Sequence, residues 1–465
     1  MLLTLINPSN PLVAIVDAEA NIWNRYRVWQ PLGLMAIAGL TPPDWKVTLV
    51  DENLGIPDYT RMQRPDLVGI TAFTSQAPRA YELAATFRKD GVPVVLGGIH
   101  ATMRREEASR HADAVVTGEA ERVWGDVLAD ARGGRLRPWY DGGLADLDGA
   151  PQARHDLLPG RYAFGSVQTT RGCPLHCGFC SVTAFNGATF RQRPIDQVVA
   201  ELANVPEKRV LIVDDNLVGT KPEHIRRAKE LFAAMIRADL KKQWVAQATI
   251  NVANDEELLS LAALAGCKGL FIGFESAEPR GSSELVGKNR LCRCRDLEDA
   301  VARIRAHGII VAGSFIIGLE GDAPGVGRRI ADAAERYGVD FANVLFLTPL
   351  PGTEIWERME AHGQIALRDF PGDWGYYTLT YPVARYPGLT VREAILEMIS
   401  CSERFYALPR ILRRLWRNLW RRQSALIGLV GSLSYRRNNR NDRARLGAFE
   451  ARIDARLAEA GGGAR

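Results

Sequence analysis

The chain has 465 residues, of which 46% are hydrophobic and 24% charged, so it has room for two or three globular domains with their own cores. Its seven cysteines, three of them close together, indicate a reducing compartment and metal chemistry and exclude a secreted disulfide scaffold. The net charge of +5 comes from residues 402–465, which hold 15 Lys and Arg against 5 Asp and Glu; the rest of the chain is net acidic, which argues against nucleic-acid binding.

The N-terminus lacks the basic lead and long apolar core of a signal peptide, so residues 2–7 are predicted to be a first strand of a cytoplasmic protein. Up to about residue 137, short apolar runs at 2–7, 46–51, 67–72, 92–97 and 114–118 alternate with helical stretches at 32–40, 79–89, 103–110 and 122–132. Near-continuous apolar strands separated by helices are typical of a doubly wound, Rossmann-like parallel sheet. Such sheets bind ligands outside the carboxyl ends of their strands.

The loops that follow these strands are small and polar, and most contain glycine, which lets a large planar ligand approach the backbone. A GxGxxG fingerprint is absent, which argues against a nicotinamide cofactor. Four segments resemble the cobalamin-binding domain found in front of many radical S-adenosylmethionine (SAM) enzymes: PLG at 31–33, VDEN at 50–53, GGIH at 97–100 and GEAE at 118–121. The resemblance implies that cobalamin is bound by Asp51, Asn53, Thr74, Ser75, Gly97, Gly98, His100, Gly118 and Glu119.

One position departs from the cobalamin domains whose D-x-H-x-x-G motif donates a histidine to cobalt. Asn53 stands where that histidine would be, with Gly55 one residue early, so this loop is expected to supply no histidine to cobalt. His100 is the only nearby substitute. A loop histidine that bonds the backbone or the corrin side chains is the favoured interpretation of His100.

Residues 138–161 contain prolines and several Gly and Asp residues and are predicted to be a linker. A second alternating series follows, with strands predicted at 164–170, 210–215, 244–250, 270–276, 309–318 and 341–349, and helices at 195–205, 222–239, 255–265, 297–307, 325–337 and 353–362. Six strand–helix pairs in this order predict a parallel sheet with right-handed crossovers.

Three cysteines, Cys173, Cys177 and Cys180, follow the first strand of this series in the spacing CxxxCxxC, with Phe179 before the last. Iron–sulfur clusters usually take four cysteines, so three leave one iron of a [4Fe-4S] cluster open to another ligand. The spacing and its context resemble the signature of the radical SAM enzymes, which implies a partial (β/α)6 barrel whose cluster binds SAM. Structural zinc, which takes four ligands, is the alternative, with the fourth from His176, Cys267, Cys292, Cys294 or Cys401.

Polar residues at the ends of the later strands are assigned to SAM by the same resemblance, because barrel sites lie at the carboxyl ends of strands. The predicted set is Asp214, Asp215, Asn216, Gln247, Glu275 and Ser314, together with Phe179 of the cysteine motif. A carboxylate can accept the ammonium group of SAM, and Glu275 can accept ribose hydroxyls. Helix capping is the alternative for Asp214 and Glu275. No residue is singled out for proton transfer.

Two other cysteine groups are interpreted structurally. Cys292 and Cys294, with one residue between them, invite an auxiliary cluster, but two unligated cysteines at a helix start are the favoured interpretation. Cys267 lies in an apolar run and is predicted to be a core residue.

From residue 391 onward the chain is polar and basic and is predicted to be helical. Residues 410–422 combine an apolar stripe with arginines mostly on the other face, which is typical of a helix in a membrane interface. The equally weighted alternative is that Leu415, Trp416, Leu419 and Trp420 pack on the barrel. The apolar run at 425–433 is too short to span a bilayer.

The predicted organisation is α/β: a Rossmann-like cobalamin-binding domain at 1–137, a linker at 138–161, a radical SAM partial barrel at 162–365 and a mostly helical basic extension at 366–465.

The resemblance implies a cobalamin-dependent radical SAM C-methyltransferase, in which one SAM methylates cobalamin and a second yields the 5′-deoxyadenosyl radical that takes a substrate hydrogen. The alternatives are a related cyclase or rearrangement enzyme without methyl transfer and, more remotely, a zinc-stabilised nucleic-acid-binding protein. Expected partners are a small, hydrophobic or lipid-like substrate and an electron donor such as flavodoxin or ferredoxin, with no nucleic acid; peripheral membrane contact follows if residues 410–422 lie in the interface.

Overall fold

The structure, a computed structural model, describes residues 1–10, 12, 29–158, 162–277, 297–418 and 422–462. It contains two six-stranded parallel sheets flanked by helices, followed by a helical C-terminal region. The α/β architecture predicted from the sequence is confirmed.

The first sheet has the strand order β2-β1-β3-β4-β5-β6, and every pair is parallel. Its strands are β1 (Leu2–Asn7), β2 (Lys46–Asp51), β3 (Leu67–Thr71), β4 (Val94–Gly97), β5 (Ala114–Thr117) and β6 (Trp139–Asp141). Its helices are α1 (Leu32–Leu40), α2 (Ala77–Lys89), α3 (Gly98–Met103), α4 (Arg105–Ala108) and α5 (Trp124–Arg132). The order reverses between β1 and β3, which is where doubly wound sheets bind their ligands.

Helices on both faces explain why the central strands are apolar at successive positions. In β1, Leu5 packs in one core with Met35 of α1, whereas the next residue, Ile6, packs in another core with Ala80 of α2. The sheet therefore separates two apolar layers, and its polar residues are left at the strand ends.

Two parts of this half differ from the sequence prediction. Residues 138–161, predicted to be a linker, include β6, which pairs with β5 in the register Val115–Trp139. β6 has only three residues and buries only its middle one, so it shows no apolar run. The helix predicted at 103–110 begins instead at Gly98 and is divided at Arg104. Its start was not predicted because Gly97 and Gly98 have low helix propensity.

The second sheet runs in the order β7-β10-β11-β12-β13-β14, again with all pairs parallel. Its strands are β7 (Gly165–Val167), β10 (Arg209–Ile212), β11 (Gln243–Ala248), β12 (Cys267–Glu275), β13 (Ile310–Ile317) and β14 (Phe341–Phe346). Its helices are α7 (Ile195–Asn204), α8 (Pro222–Arg237), α9 (Glu256–Leu264), α10 (Leu297–Ala306), α11 (Val326–Tyr337) and α12 (Glu354–Ala361). All six predicted strand–helix pairs are present. An antiparallel pair, β8 (Thr170–Arg171) with β9 (Arg191–Gln192), and a short helix, α6 (Ser181–Asn186), surround the cysteine motif.

Successive residues of the central strands face opposite sides of this sheet. Trp244 of β11 stacks on Phe232 of α8, with ring centroids 5.3 Å apart, so that side is covered by helices. Gln247 lies on the other, inner side and is exposed although β11 is an interior strand. The inner side is therefore open to a ligand.

The C-terminal region consists of α13 (Val391–Phe405), α14 (Leu408–Asn418) and α15 (Arg422–Gly462). The Glu397 carboxylate of α13 accepts hydrogen bonds from the N–H groups of Gly325 and Gly327 at the start of α11, at 2.6 and 2.7 Å. Within the part of the chain that the structure describes, no helix combines the length and apolarity that crossing a membrane requires.

Candidate active site

The three motif cysteines lie half-buried in the loop between β8 and α6. The Cys180 N–H donates to the Cys177 carbonyl at 3.0 Å, which closes a tight turn between them. Gly172, just before Cys173, has φ +85°, and a Cβ there would lie 2.5 Å from the Thr189 carbonyl oxygen, so only glycine fits. The backbone conformation just before Cys173 is therefore fixed.

A side-chain donor is aimed at the first cysteine. Asn216 is 1% exposed, and its Oδ1 accepts the Gly219 N–H at 3.2 Å, which fixes the orientation of the amide. The Asn216 Nδ2 then donates to Cys173 Sγ at 3.6 Å. Three soft thiol ligands with a hydrogen-bond donor to one sulfur fit an iron–sulfur cluster.

The other groups considered as zinc ligands have different surroundings where the structure describes them. Cys267, as predicted, and Cys401 are core residues, and burial raises the pKa of both thiols. His176 is mostly exposed and contacts Glu354 at 3.4 Å. Cys292 and Cys294 lie outside the described residues. Among the described residues, no three His, Cys, Asp or Glu side chains are arranged around a single ion.

The two carboxylates after β10 have different surroundings. Asp214 is 0% exposed and accepts the N–H and Oγ1–H of Thr169 at 2.6 and 2.5 Å, so both of its oxygens are engaged within the protein. Burial raises the pKa of Asp214. Asp215 accepts the Gly172 N–H at 2.9 Å, beside the first cysteine, and burial raises its pKa to about 6.

Further along the sheet, Ser314 of β13 is aligned with Gly273 of β12 and with Asn343 of β14, so the three share one face. Asn343 is half-buried and was not predicted, since a single polar residue inside an apolar strand forms no motif. Glu275 is buried at the end of β12, where its φ is +66° and the pairing shifts register. Phe179 is partly buried against the core.

In the first sheet, Asp51 is held by protein groups. Its carboxylate accepts the side-chain N–H of Asn7 at 2.9 Å, the side-chain N–H of Asn53 at 2.8 Å and the Tyr162 hydroxyl at 2.8 Å. Asn53 is thereby turned toward Asp51. Thr74 is buried and Ser75 half-buried in the loop after β3, whose Phe73 is exposed.

His100 is 1% exposed and bonded within the protein. Its Nε2 lies 3.0 Å from the Tyr81 hydroxyl and 3.5 Å from the Glu107 carboxylate, and its ring meets Trp374 edge to face. His100 thus lies in α3 and not in a loop, and its Nε2 contacts protein side chains instead of the backbone. Its Nδ1 is buried without a hydrogen-bond partner in the described residues. That orphaned atom fits a polar side chain of a corrin ring bound at the same strand ends.

Of the three glycines assigned to cobalamin, Gly97 has open space beside its backbone. A Cβ on Gly97 would meet nothing closer than 3.8 Å, whereas one on Gly98 or Gly118 would collide with neighbouring backbone. A cavity of about 640 Å³ extends from Gly118 and Trp139 to Phe185 of α6, which follows the cysteine motif. The cavity thus lies between the first sheet and the cysteine region.

Glu119 links the two halves directly. Its carboxylate contacts Arg171 at 3.0 Å and Arg191 at 2.8 Å, and Arg171 lies two residues before Cys173. Glu119 was predicted to bind cobalamin, but both of its oxygens are engaged by these arginines. Neither arginine was predicted from the sequence, where nothing marks residues 119 and 191 as neighbours.

Known proteins resemble the chain in both halves. The B12 binding domain family matches residues 20–128, and the Radical SAM superfamily matches residues 167–325. The bacteriochlorophyllide d C-12(1)-methyltransferase of Chlorobaculum tepidum is 29% identical over 433 residues, 88% of this chain and 88% of its own. The hopanoid C-2 methylase of Rhodopseudomonas palustris is 25% identical over 73% of this chain and 66% of its own.

A solved structure shares the fold of both halves together. The radical SAM methyltransferase TsrM from Kitasatospora setae, with cobalamin and a [4Fe-4S] cluster bound, aligns with 86% of this chain and 90% of its own, with a TM-score of 0.65 and 18% identity. The chain therefore belongs to the radical SAM superfamily, as a member that carries an N-terminal B12-binding domain.

Proposed function

We propose that this protein is a cobalamin-dependent C-methyltransferase acting on an unactivated carbon of a small hydrophobic molecule. When bound, cobalamin supplies the methyl group, and the [4Fe-4S] cluster with SAM supplies the radical that removes the substrate hydrogen. The observation that carries the proposal is the contact of Glu119, in a loop of the B12-binding half, with Arg171 beside the cysteine motif. A substrate held at this junction has both cofactors within reach, as the reaction requires.

In this proposal the side chains have distinct tasks. Cys173, Cys177 and Cys180 hold the cluster, and Asn216 orients the first sulfur. Asp215 accepts the ammonium group of SAM. The rest of SAM is bound along the inner face by Phe179, Gln247, Glu275 and Ser314, and cobalamin by Asp51, Asn53, Thr74, Ser75, Gly97, Gly98, His100 and Gly118.

The relatives named for a bacteriochlorophyllide and a hopanoid make these two polycyclic molecules the first substrates to test. The anaerobically reconstituted enzyme is incubated with each of them, a reductant and SAM carrying a deuterated methyl group. We expect a product that contains the deuterated methyl, together with S-adenosylhomocysteine. An altered but unmethylated product, formed with 5′-deoxyadenosine alone, would identify a cyclase or rearrangement enzyme instead.

The proposal includes an external electron donor such as flavodoxin or ferredoxin. The cysteine loop reaches the protein surface at His176, whose side chain is 65% exposed. A donor protein that docks over this part of the loop comes close to the cluster.

We further propose that the protein works in the cytoplasm at a membrane surface, through α14. The solvent-facing side of this helix is apolar. Leu408, Leu412 and Trp416 are 49%, 61% and 69% exposed and follow one another at four-residue spacing. The inner side of α14 buries Ile411, and Arg410 and Arg414 form ion pairs with Asp332 and Glu335 of α11. The helix therefore both packs on the barrel and presents an apolar stripe; Leu419 and Trp420 lie outside the described residues.

Vesicle co-sedimentation tests this contact. Wild type should bind anionic vesicles, and the variant Leu412→Ser/Trp416→Ser should not, because the stripe supplies the apolar area that enters the interface. Leu264→Ser, at an exposed leucine of α9, is the control and should bind like wild type. Equal binding by a folded double variant would refute the contact.

A further inference from the structure

We infer that Glu119 and Glu121 are positioning residues that hold the cysteine loop at a fixed place against the B12-binding half. Together with Arg171 and Arg191 they form what we name the carboxylate clamp. The inference rests on the proposed function, because it assigns these residues the task of setting the separation between the two cofactors.

The geometry of the clamp is two arginines facing two carboxylates. Arg171 and Arg191 are directly paired across the antiparallel strands β8 and β9, so their side chains lie next to each other. Arg171 contacts Glu119 at 3.0 Å and Glu121 at 2.5 Å. Arg191 contacts both oxygens of Glu119, one of them at 2.8 Å.

Further hydrogen bonds fix the same groups. The Ala145 N–H donates to Glu119 at 2.8 Å, and Arg191 donates to the Ala145 carbonyl at 2.6 Å and to the Asn186 side chain at 3.0 Å. Asn186 is the last residue of α6, so Arg191 also reaches the far side of the cysteine loop. The clamp therefore contacts the loop where it begins, at Arg171, and where the helix after it ends.

Burial makes these contacts specific. Glu119 is 5% exposed, and the side chains of Arg171 and Arg191 are largely covered. Exposed ion pairs contribute little to a fold, but removing one partner of a buried pair leaves an uncompensated charge in the interior. A change at Glu119 should therefore weaken the hold on both arginines at once, and leave Arg171 with Glu121 and Arg191 with Ala145 and Asn186.

Arg171 is joined to the first cysteine through a single residue, so we expect a displacement of Arg171 to strain the start of the cysteine loop. Gly172 separates the two, and it is held by its N–H bond to Asp215 and by the close approach of Thr189. Reactions between positioned groups lose about 100-fold in rate when a group is misplaced by about 1 Å. Release of the clamp should thus disturb methyl transfer, which needs both halves, more than SAM cleavage, which needs the barrel alone.

Hydrogen–deuterium exchange and product analysis of the full reconstituted chain test the clamp. In Glu119→Gln we expect the backbone amides of residues 172–180 to exchange about tenfold faster or more, with iron content unchanged. The ratio of 5′-deoxyadenosine to methylated product should rise severalfold. Glu121→Gln, which leaves the contacts of Glu119 in place, should give the same changes to a smaller extent.

Glu82→Gln is the control, because Glu82 forms an exposed pair with Arg79 in the same half. It should leave both quantities at the wild-type value. Wild-type exchange at residues 172–180 in Glu119→Gln would overturn the inference, as would a parallel loss of both products. Exchange can be read whether or not wild type methylates a substrate, so failure of the clamp is distinguishable from failure of the proposed function.

Discussion

Asp214 and Asp215 are adjacent in the sequence but differ in what they contact. We predict that Asp214→Asn lowers the free energy of unfolding by about 2–4 kcal/mol. The carboxylate uses both oxygens to accept hydrogen bonds from the Thr169 N–H and hydroxyl, whereas an amide has only one acceptor oxygen for these two donors. Asp215→Asn should retain stability, since its carbonyl still accepts the Gly172 N–H, but it should weaken SAM binding. Urea unfolding and equilibrium dialysis measure the two effects. Loss of SAM binding by Asp214→Asn without loss of stability would contradict the structural assignment.

The cysteines give a second prediction at the residue scale. Replacing Cys173, Cys177 or Cys180 by alanine should reduce cluster iron to near zero and abolish 5′-deoxyadenosine, because two cysteines cannot hold the cluster. Iron analysis and chromatography of the nucleosides give the readout. The double variant Cys292→Ala/Cys294→Ala is the control and should keep wild-type iron. A loss of one cluster's worth of iron there would reveal an auxiliary site.

At the scale of elements, the C-terminal region is part of the barrel's support. Gly327 of α11 lies so close to α13 that a Cβ would stand 2.0 Å from the Glu397 carbonyl oxygen. We predict that Gly327→Ala lowers the free energy of unfolding by about 1–3 kcal/mol through this overpacking. Gly428→Ala in α15 meets nothing within 4 Å and should be neutral or stabilising. Thermal unfolding of both variants measures the two effects. Equal stability of Gly327→Ala and wild type would contradict the close packing of α13 on α11.

Most strands and helices could be predicted from the sequence, but contacts between distant residues could not. The strand–helix pairs of both sheets were predictable because strands buried on both faces have near-continuous apolar runs. β6 was missed because a three-residue edge strand has no such run. The cysteines and the polar strand ends carry local motifs, whereas Asn343, Arg171 and Arg191 do not: their neighbours come from distant parts of the chain, 72 residues away for Arg191 and Glu119.

At the scale of the whole molecule, we expect the contact between halves to depend on pH through Glu119. Burial alone would raise the pKa of Glu119, but hydrogen bonds from Arg191 and the charge of Arg171 hold it below the usual value of 4.5. A lowered folded-state pKa contributes stability that is complete above the unfolded-state pKa and is lost as the pH falls through the folded-state pKa.

We therefore predict that the difference in unfolding free energy between wild type and Glu119→Gln is constant from about pH 6 to 8 and shrinks below about pH 4.5. Denaturant unfolding of the apo protein at several pH values measures this difference. A difference that stays constant down to about pH 3 would show that Glu119 is not held as a buried anion.

The central claim is that one chain binds a [4Fe-4S] cluster and cobalamin and acts with both on SAM. Its most direct test is metal and nucleoside analysis of the full chain after anaerobic reconstitution with iron, sulfide and cobalamin. We expect about one cluster and about one cobalamin per chain and, with SAM and a reductant, both S-adenosylhomocysteine and 5′-deoxyadenosine. Zinc in place of iron, cobalamin lost on desalting, or neither nucleoside from a chain with both cofactors bound would contradict the claim.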